Sequence, residues 1–122
     1  MDPADPAVAA AALERLREWG GPRLVSDMTA IFAAEMPRRL TELGAALQRS
    51  DSGAALRAAH SIKSSAGQFG AVALAQLAGE AERLAESSET AAARELLVDM
   101  DNRLAQFLSW LSEYRPTRVT DP

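Results

Sequence analysis

The stretch Ser52-Gly53-Ala54-Ala55-Leu56-Arg57-Ala58-Ala59-His60-Ser61-Ile62-Lys63-Ser64-Ser65-Ala66-Gly67-Gln68-Phe69-Gly70 carries turn residues at both ends and a helical period between them. Asp51 or Ser52 supplies an N-cap, and Gly70 supplies the stop. At about 100° per residue, Ala55, Ala58, Ala59, Ile62, Ala66 and Phe69 share one half of the helix. His60, Lys63, Ser64 and Gly67 lie on the other half, as do Gly53 and Arg57. The chain's single histidine and single lysine thus share a polar, small-residue face, three residues apart. One is the side chain whose unperturbed charge changes near neutral pH, and the other is a compact, mobile cation.

The same period extends outward in both directions. Asp5-Pro6 opens a short N-terminal helix with proline at its first position, and Val8, Ala12, Leu16 and Trp19 mark its stripe until Gly20-Gly21-Pro22 ends it. Residues 23–49 repeat the pattern through Leu24, Met28, Ile31, Phe32, Met36, Leu40, Leu43 and Leu47, with a bend expected at Pro37. Beyond Gly70, residues 71–87 place Leu74, Leu77, Ala81 and Leu84 inward. Ser87-Ser88-Glu89-Thr90 reads as a turn. Residues 91–114 read as one last helix, with Leu97, Met100, Leu104, Phe107, Leu111 and Tyr114 in a coiled-coil-like seam. No segment alternates with the period of a strand. The expectation is an all-α chain: an antiparallel up-down four-helix bundle over 23–114, a short extra N-terminal lid helix over 1–22, and a frayed tail over 115–122.

Bulk properties narrow the function. A length of 122 residues suits one domain, and 48% hydrophobic with 25% charged residues is ordinary for a soluble globular protein. Without cysteine there is no disulfide framework and no thiolate metal site. A net charge of −4 argues against a nucleic-acid binder, no apolar run is long enough for a membrane span, and the N-terminus lacks the basic-then-apolar order of a signal peptide. One histidine leaves only carboxylates as further metal ligands, so no metal is expected. There is no Gly-rich nucleotide loop. A cytoplasmic monomer is the resulting expectation.

If the helix bearing His60 and the next one fold back about Gly70, Glu82 lies near the height of His60. A carboxylate there would take a hydrogen bond from one ring nitrogen, fix the tautomer and leave the other nitrogen as nucleophile. Glu80 and Glu86 are the alternatives, and an ordinary solvated acid beside a solvated surface histidine is the plainer reading.

The run Ala59-His60-Ser61-Ile62-Lys63-Ser64-Ser65-Ala66-Gly67-Gln68-Phe69-Gly70-Ala71 resembles the signature of histidine-containing phosphotransfer (HPt) domains. Leu16-Arg17-Glu18-Trp19-Gly20-Gly21 and Phe32 through Leu40 look like segments of the same family. The resemblance implies a helical bundle that relays phosphoryl groups between receiver-domain aspartates. His60 would accept the group, Lys63 would neutralise its oxygens, and Glu82 falls where the family often places a ring-orienting side chain. Serine at position 64 replaces the commoner glycine. Ser64, Gly67, Ala71 and Ala75 are candidates for partner contact. No cofactor is expected on this chain, Mg²⁺ belonging to the partner receiver. Partners would be response-regulator receiver domains and/or a hybrid sensor histidine kinase. The carrier would have no turnover of its own. Two other readings remain open: the phosphorylatable N-terminal module of a chemotaxis-type histidine kinase, and a plain helical adaptor. The absence of an ATP-binding region before Pro122 favours a free-standing relay or an excised domain over the former.

Overall fold

The computed structural model describes residues 6–114. Five helices follow one another: α1 (Pro6–Gln48), α2 (Ser52–Gln68), α3 (Val72–Glu86), α4 (Thr90–Arg94) and α5 (Leu97–Glu113). There is no strand among these residues. The C-terminal part of α1 packs with α2, α3 and α5 around one core, and α4 is a short connector. The Asp5 cap and the tail over 115–122 fall outside the described residues.

Three helix ends close in the same way. Ser50, Gly70 and Ser88 each adopt positive φ. The next amide reaches back five residues in each case: Asp51 to Ala46, Ala71 to Ala66 and Glu89 to Leu84, all at 2.8 Å. This is the Schellman arrangement, which satisfies carbonyls that the last turn leaves open. It reverses the chain within three residues, so α1, α2 and α3 run antiparallel to their successors. Asp51 also caps α2, its carboxylate accepting from the Ala54 amide at 3.1 Å.

Gly70 is required for a second reason. A Cβ there would stand 2.7 Å from Ala9 Cα and 2.8 Å from the Val8 carbonyl oxygen. The N-terminal part of α1 therefore lies with its backbone directly against the α2–α3 turn. That contact sets the phase of this segment: Ala9, Ala12 and Leu13 are buried, while Val8 and Trp19 from the expected stripe face solvent and Leu16 is only partly covered.

Two other expectations change, and one holds. The first helical segment ends at Gly20-Gly21-Pro22, where two helices meet across a kink. Gly21 alone leaves helical dihedrals (φ 78°, ψ −178°), and Pro22 restarts the helix at once. The break falls there and not at Pro37, which sits within helical backbone. Pro37 and Ala33, the residue four before it, are both exposed, so the carbonyl that loses its donor faces water. Ile31 is exposed too, outside the seam to which its spacing assigned it.

The expected single helix over 91–114 is two. After Arg94 the chain makes a tight turn, the Leu96 amide bonding the Ala93 carbonyl at 3.0 Å, and α5 starts at Leu97. Leu96 and Leu97 both pack against the core. Met100, Leu104 and Phe107 then bury as the seam predicts.

Candidate functional site

The α2–α3 pair is built from alanine. Ala55, Ala59 and Ala66 on α2 and Ala78 and Ala81 on α3 have no exposed surface. Methyl groups at these positions let the two backbones approach closely, and polar side chains at the edge of the seam can meet.

His60 and Lys63 on α2 and Glu82 on α3 meet there. His60 Nδ1 lies 2.8 Å from Glu82 Oε2, and Lys63 Nζ lies 2.6 Å from Glu82 Oε1. Each carboxylate oxygen has its own donor. Hydrogen bonding from Lys63 holds the Glu82 carboxyl below its ordinary value of 4.5, with His60 and the Lys63 charge acting the same way against the opposing effect of partial burial. An ionised carboxylate only accepts, so Nδ1 carries the proton and donates it to Glu82. In the neutral ring this leaves the lone pair on Nε2.

Exposure separates the three roles. Glu82 is 19% exposed, Lys63 43% and His60 61%. The orienting group is the most covered, and the ring it orients is the most open. Gly79, one turn before Glu82, gives the lysine its path: a Cβ at this position would lie 3.3 Å from Lys63 Cδ. Spacing arguments passed over Gly79, although a glycine inside a helix pattern often marks a close approach. Glu80 pairs with Arg83 on its own helix at 2.5 Å, and Glu86 is exposed.

Of the four partner-contact candidates, Ser64 and Gly67 are exposed on the His60 face. A Cβ at Gly67 would meet nothing within 4 Å. Ala75 is half-buried. Ala71 is 3% exposed and belongs to the core, because the turn at Gly70 carries it inward beneath α1. It offers no surface to a partner. Among the described residues no group of three or more acidic or histidine side chains is arranged to hold a metal, and no helix is long and apolar enough to cross a membrane.

The Hpt domain family model matches residues 27–110, which hold all three site residues. The chain belongs to the Hpt domain family and is a phosphotransfer module of two-component signalling. Comparison with curated proteins and with solved structures gave no match.

Proposed function

We propose that this chain is a stoichiometric phosphorelay carrier that takes a phosphoryl group from a receiver-domain aspartate onto His60 Nε2 and gives it to the aspartate of another receiver. The supporting observation is an exposed imidazole whose Nδ1 proton is held by Glu82 at 2.8 Å. In the forward step the Nε2 lone pair forms the N–P bond as the P–O bond to the aspartyl carboxyl breaks. The aspartate leaves as a carboxylate and Nδ1 keeps its proton. The ring becomes cationic, and the Glu82 carboxylate is already in place to balance it. Lys63 uses one of its three donors on Glu82 and keeps the others for phosphoryl oxygens. Ser64 adds a hydroxyl on the same face.

Phosphoryl transfer calls for in-line placement and charge neutralisation more than for covalent help from the protein. The carrier needs no cofactor of its own in this reading, and Mg²⁺ is held by the receiver. It works as a monomer in the cytoplasm alongside response regulators and hybrid sensor kinases.

The test is to incubate the chain with a phosphorylated receiver domain. A label that is acid-labile and base-stable should appear and should vanish in His60→Gln. Label persisting in that variant would reject the relay. Labelling only by a kinase catalytic domain with ATP, and by no receiver, would favour the chemotaxis-type module.

A further inference from the structure

Lys63 and Glu82 attend to one side of the His60 ring. Lys63 Nζ lies 2.6 Å from Glu82 Oε1, and its stem passes Gly79, so both partners stand on the α3 side of α2. Around the helix axis Lys63 is about 60° from His60 in that direction, and Ser64 is about 40° from it in the other. Arg57 and Ser61 lie further round on the Ser64 side, where they line the groove between α2 and α1. The ring itself is turned by its hydrogen bond. Nδ1 points toward α3, 2.8 Å from Glu82 Oε2. The two nitrogens of an imidazole are separated by one ring carbon and their outward bonds diverge widely, so Nε2 opens away from α3, toward Ser64.

Helical side chains lean toward the N-terminus, which carries the Ser64 hydroxyl over the turn that bears His60. The same lean takes Ser61 toward the turn of Arg57. The Arg57 guanidinium extends further still, its Nη1 3.5 Å from where a Cβ on Gly53 would stand. Ser64 is therefore the polar group closest to Nε2 on this side, and it is exposed. Its hydroxyl is also free. Thr29 and Thr41 turn theirs back onto the carbonyls of Val25 and Pro37, at 2.9 and 3.1 Å. Ser64 makes no such bond among the described residues.

We propose that the Ser64 hydroxyl donates a hydrogen bond to a phosphoryl oxygen carried on His60 Nε2, and so sets how the phosphoryl group divides between this chain and its receivers. The proposal rests on the relay reading. Lys63 reaches the phosphoryl oxygens from the α3 side with the donors that Glu82 leaves over, and Ser64 reaches them from the α1 side. Without a phosphoryl group the hydroxyl meets water, so its bond stabilises one end of the transfer equilibrium and not the other. One hydrogen bond of this kind shifts such an equilibrium by about three- to tenfold.

The experiment mixes the full chain with a phosphorylated receiver domain under dilute conditions, lets transfer reach equilibrium, and measures the label on each protein. The equilibrium ratio does not depend on how fast the partners dock, which separates this role from surface contact. Ser64→Ala and Ser64→Gly should each move the ratio about three- to tenfold toward the receiver, and Ser64→Asp further, by repulsion between like charges. Ser61→Ala should leave it unchanged, and all variants should keep the wild-type helical circular dichroism. A second arm needs no receiver. The chain has a single histidine, so phosphorylation by phosphoramidate should give one phosphohistidine signal to follow by ³¹P NMR against pH. A donor to the phosphoryl oxygens favours the dianion, so the wild-type signal should titrate at lower pH than that of Ser64→Ala. A Ser64→Ala ratio within about twofold of wild type, a larger shift in Ser61→Ala, or identical ³¹P titrations would each overturn the assignment. If no receiver labels the wild-type chain, the relay reading falls and the ³¹P titration alone judges the hydrogen bond; if receivers label wild type and Ser64→Ala to the same ratio, only the role of Ser64 falls.

Discussion

The α2–α3 seam and the aromatic ladder between α2, α1 and α5 bury their side chains by different means. The seam uses methyl groups, so its geometry is the distance between two backbones. The ladder uses rings from three helices, so its geometry is set by side-chain shape. A seam of alanines carries little apolar area per residue but fixes position closely. A ring cluster buries more apolar area per residue. The proposed phosphotransfer site sits at the edge of the seam, where a 2.8 Å contact between two helices has to be held. Stability and site geometry are thereby assigned to different parts of one fold.

Phe32 tests the stability side, and here the largest effect is expected. It is 3% exposed and joins Phe69 to Phe107. Phe32→Ala should cost about 3–5 kcal/mol in urea unfolding, a large share of what a domain this size possesses. Transfer to His60, measured at low temperature and normalised to the folded fraction, should stay within about twofold of wild type. A large loss in that normalised rate would show that the ladder and the site are coupled.

Ala78 tests the geometric side. On α3 it points within about 40° of Glu82, toward α2, and is fully buried. Ala78→Leu forces several extra carbon atoms into a seam with no room for them. The expected cost is about 1–3 kcal/mol, less than for Phe32→Ala. The transfer rate should nonetheless fall by about tenfold, because spreading the helices pulls Glu82 from the ring. Unchanged kinetics in a destabilised Ala78→Leu chain would mean that backbone spacing does not set the site.

Sequence legibility divides along the same line. Alternating apolar spacing located α2, α3 and the seam of α5, and turn residues marked three reversals. Glu82 was placed at the height of His60 by counting turns from Gly70, and the two are in contact. Phase was harder than period. In the N-terminal segment, Val8-Ala12-Leu16-Trp19 and Ala9-Ala12-Leu13 fit a helix equally well. What chooses between them is the close approach of the Val8 and Ala9 backbone to Gly70, which leaves position 9 buried and position 8 exposed. Alanine signals neither core nor surface by composition, so a chain that packs with alanine hides its own contacts. The split before Leu97 had no proline or glycine to announce it. Ala71 misled for a related reason: on an extended helix wheel it continues the His60 face, but the left-handed Gly70 turns it into the core.

The smallest effect expected separates stability from site geometry by sign. Gly79 lies inside α3, where replacing glycine by alanine ordinarily stabilises a helix by up to about 1 kcal/mol. The added methyl would stand 3.3 Å from Lys63 Cδ, close enough to displace a flexible stem by a few tenths of an ångström but not to block it. Gly79→Ala should therefore raise the unfolding midpoint slightly while slowing phosphoryl transfer by about two- to threefold, since Lys63 can no longer lie flat across α3 on its way to Glu82. The same substitution combined with Lys63→Ala should keep the stability gain and show no further slowing, because the side chain it displaces is gone. If Gly79→Ala slows transfer equally in both backgrounds, the glycine acts through helix spacing and not through the lysine.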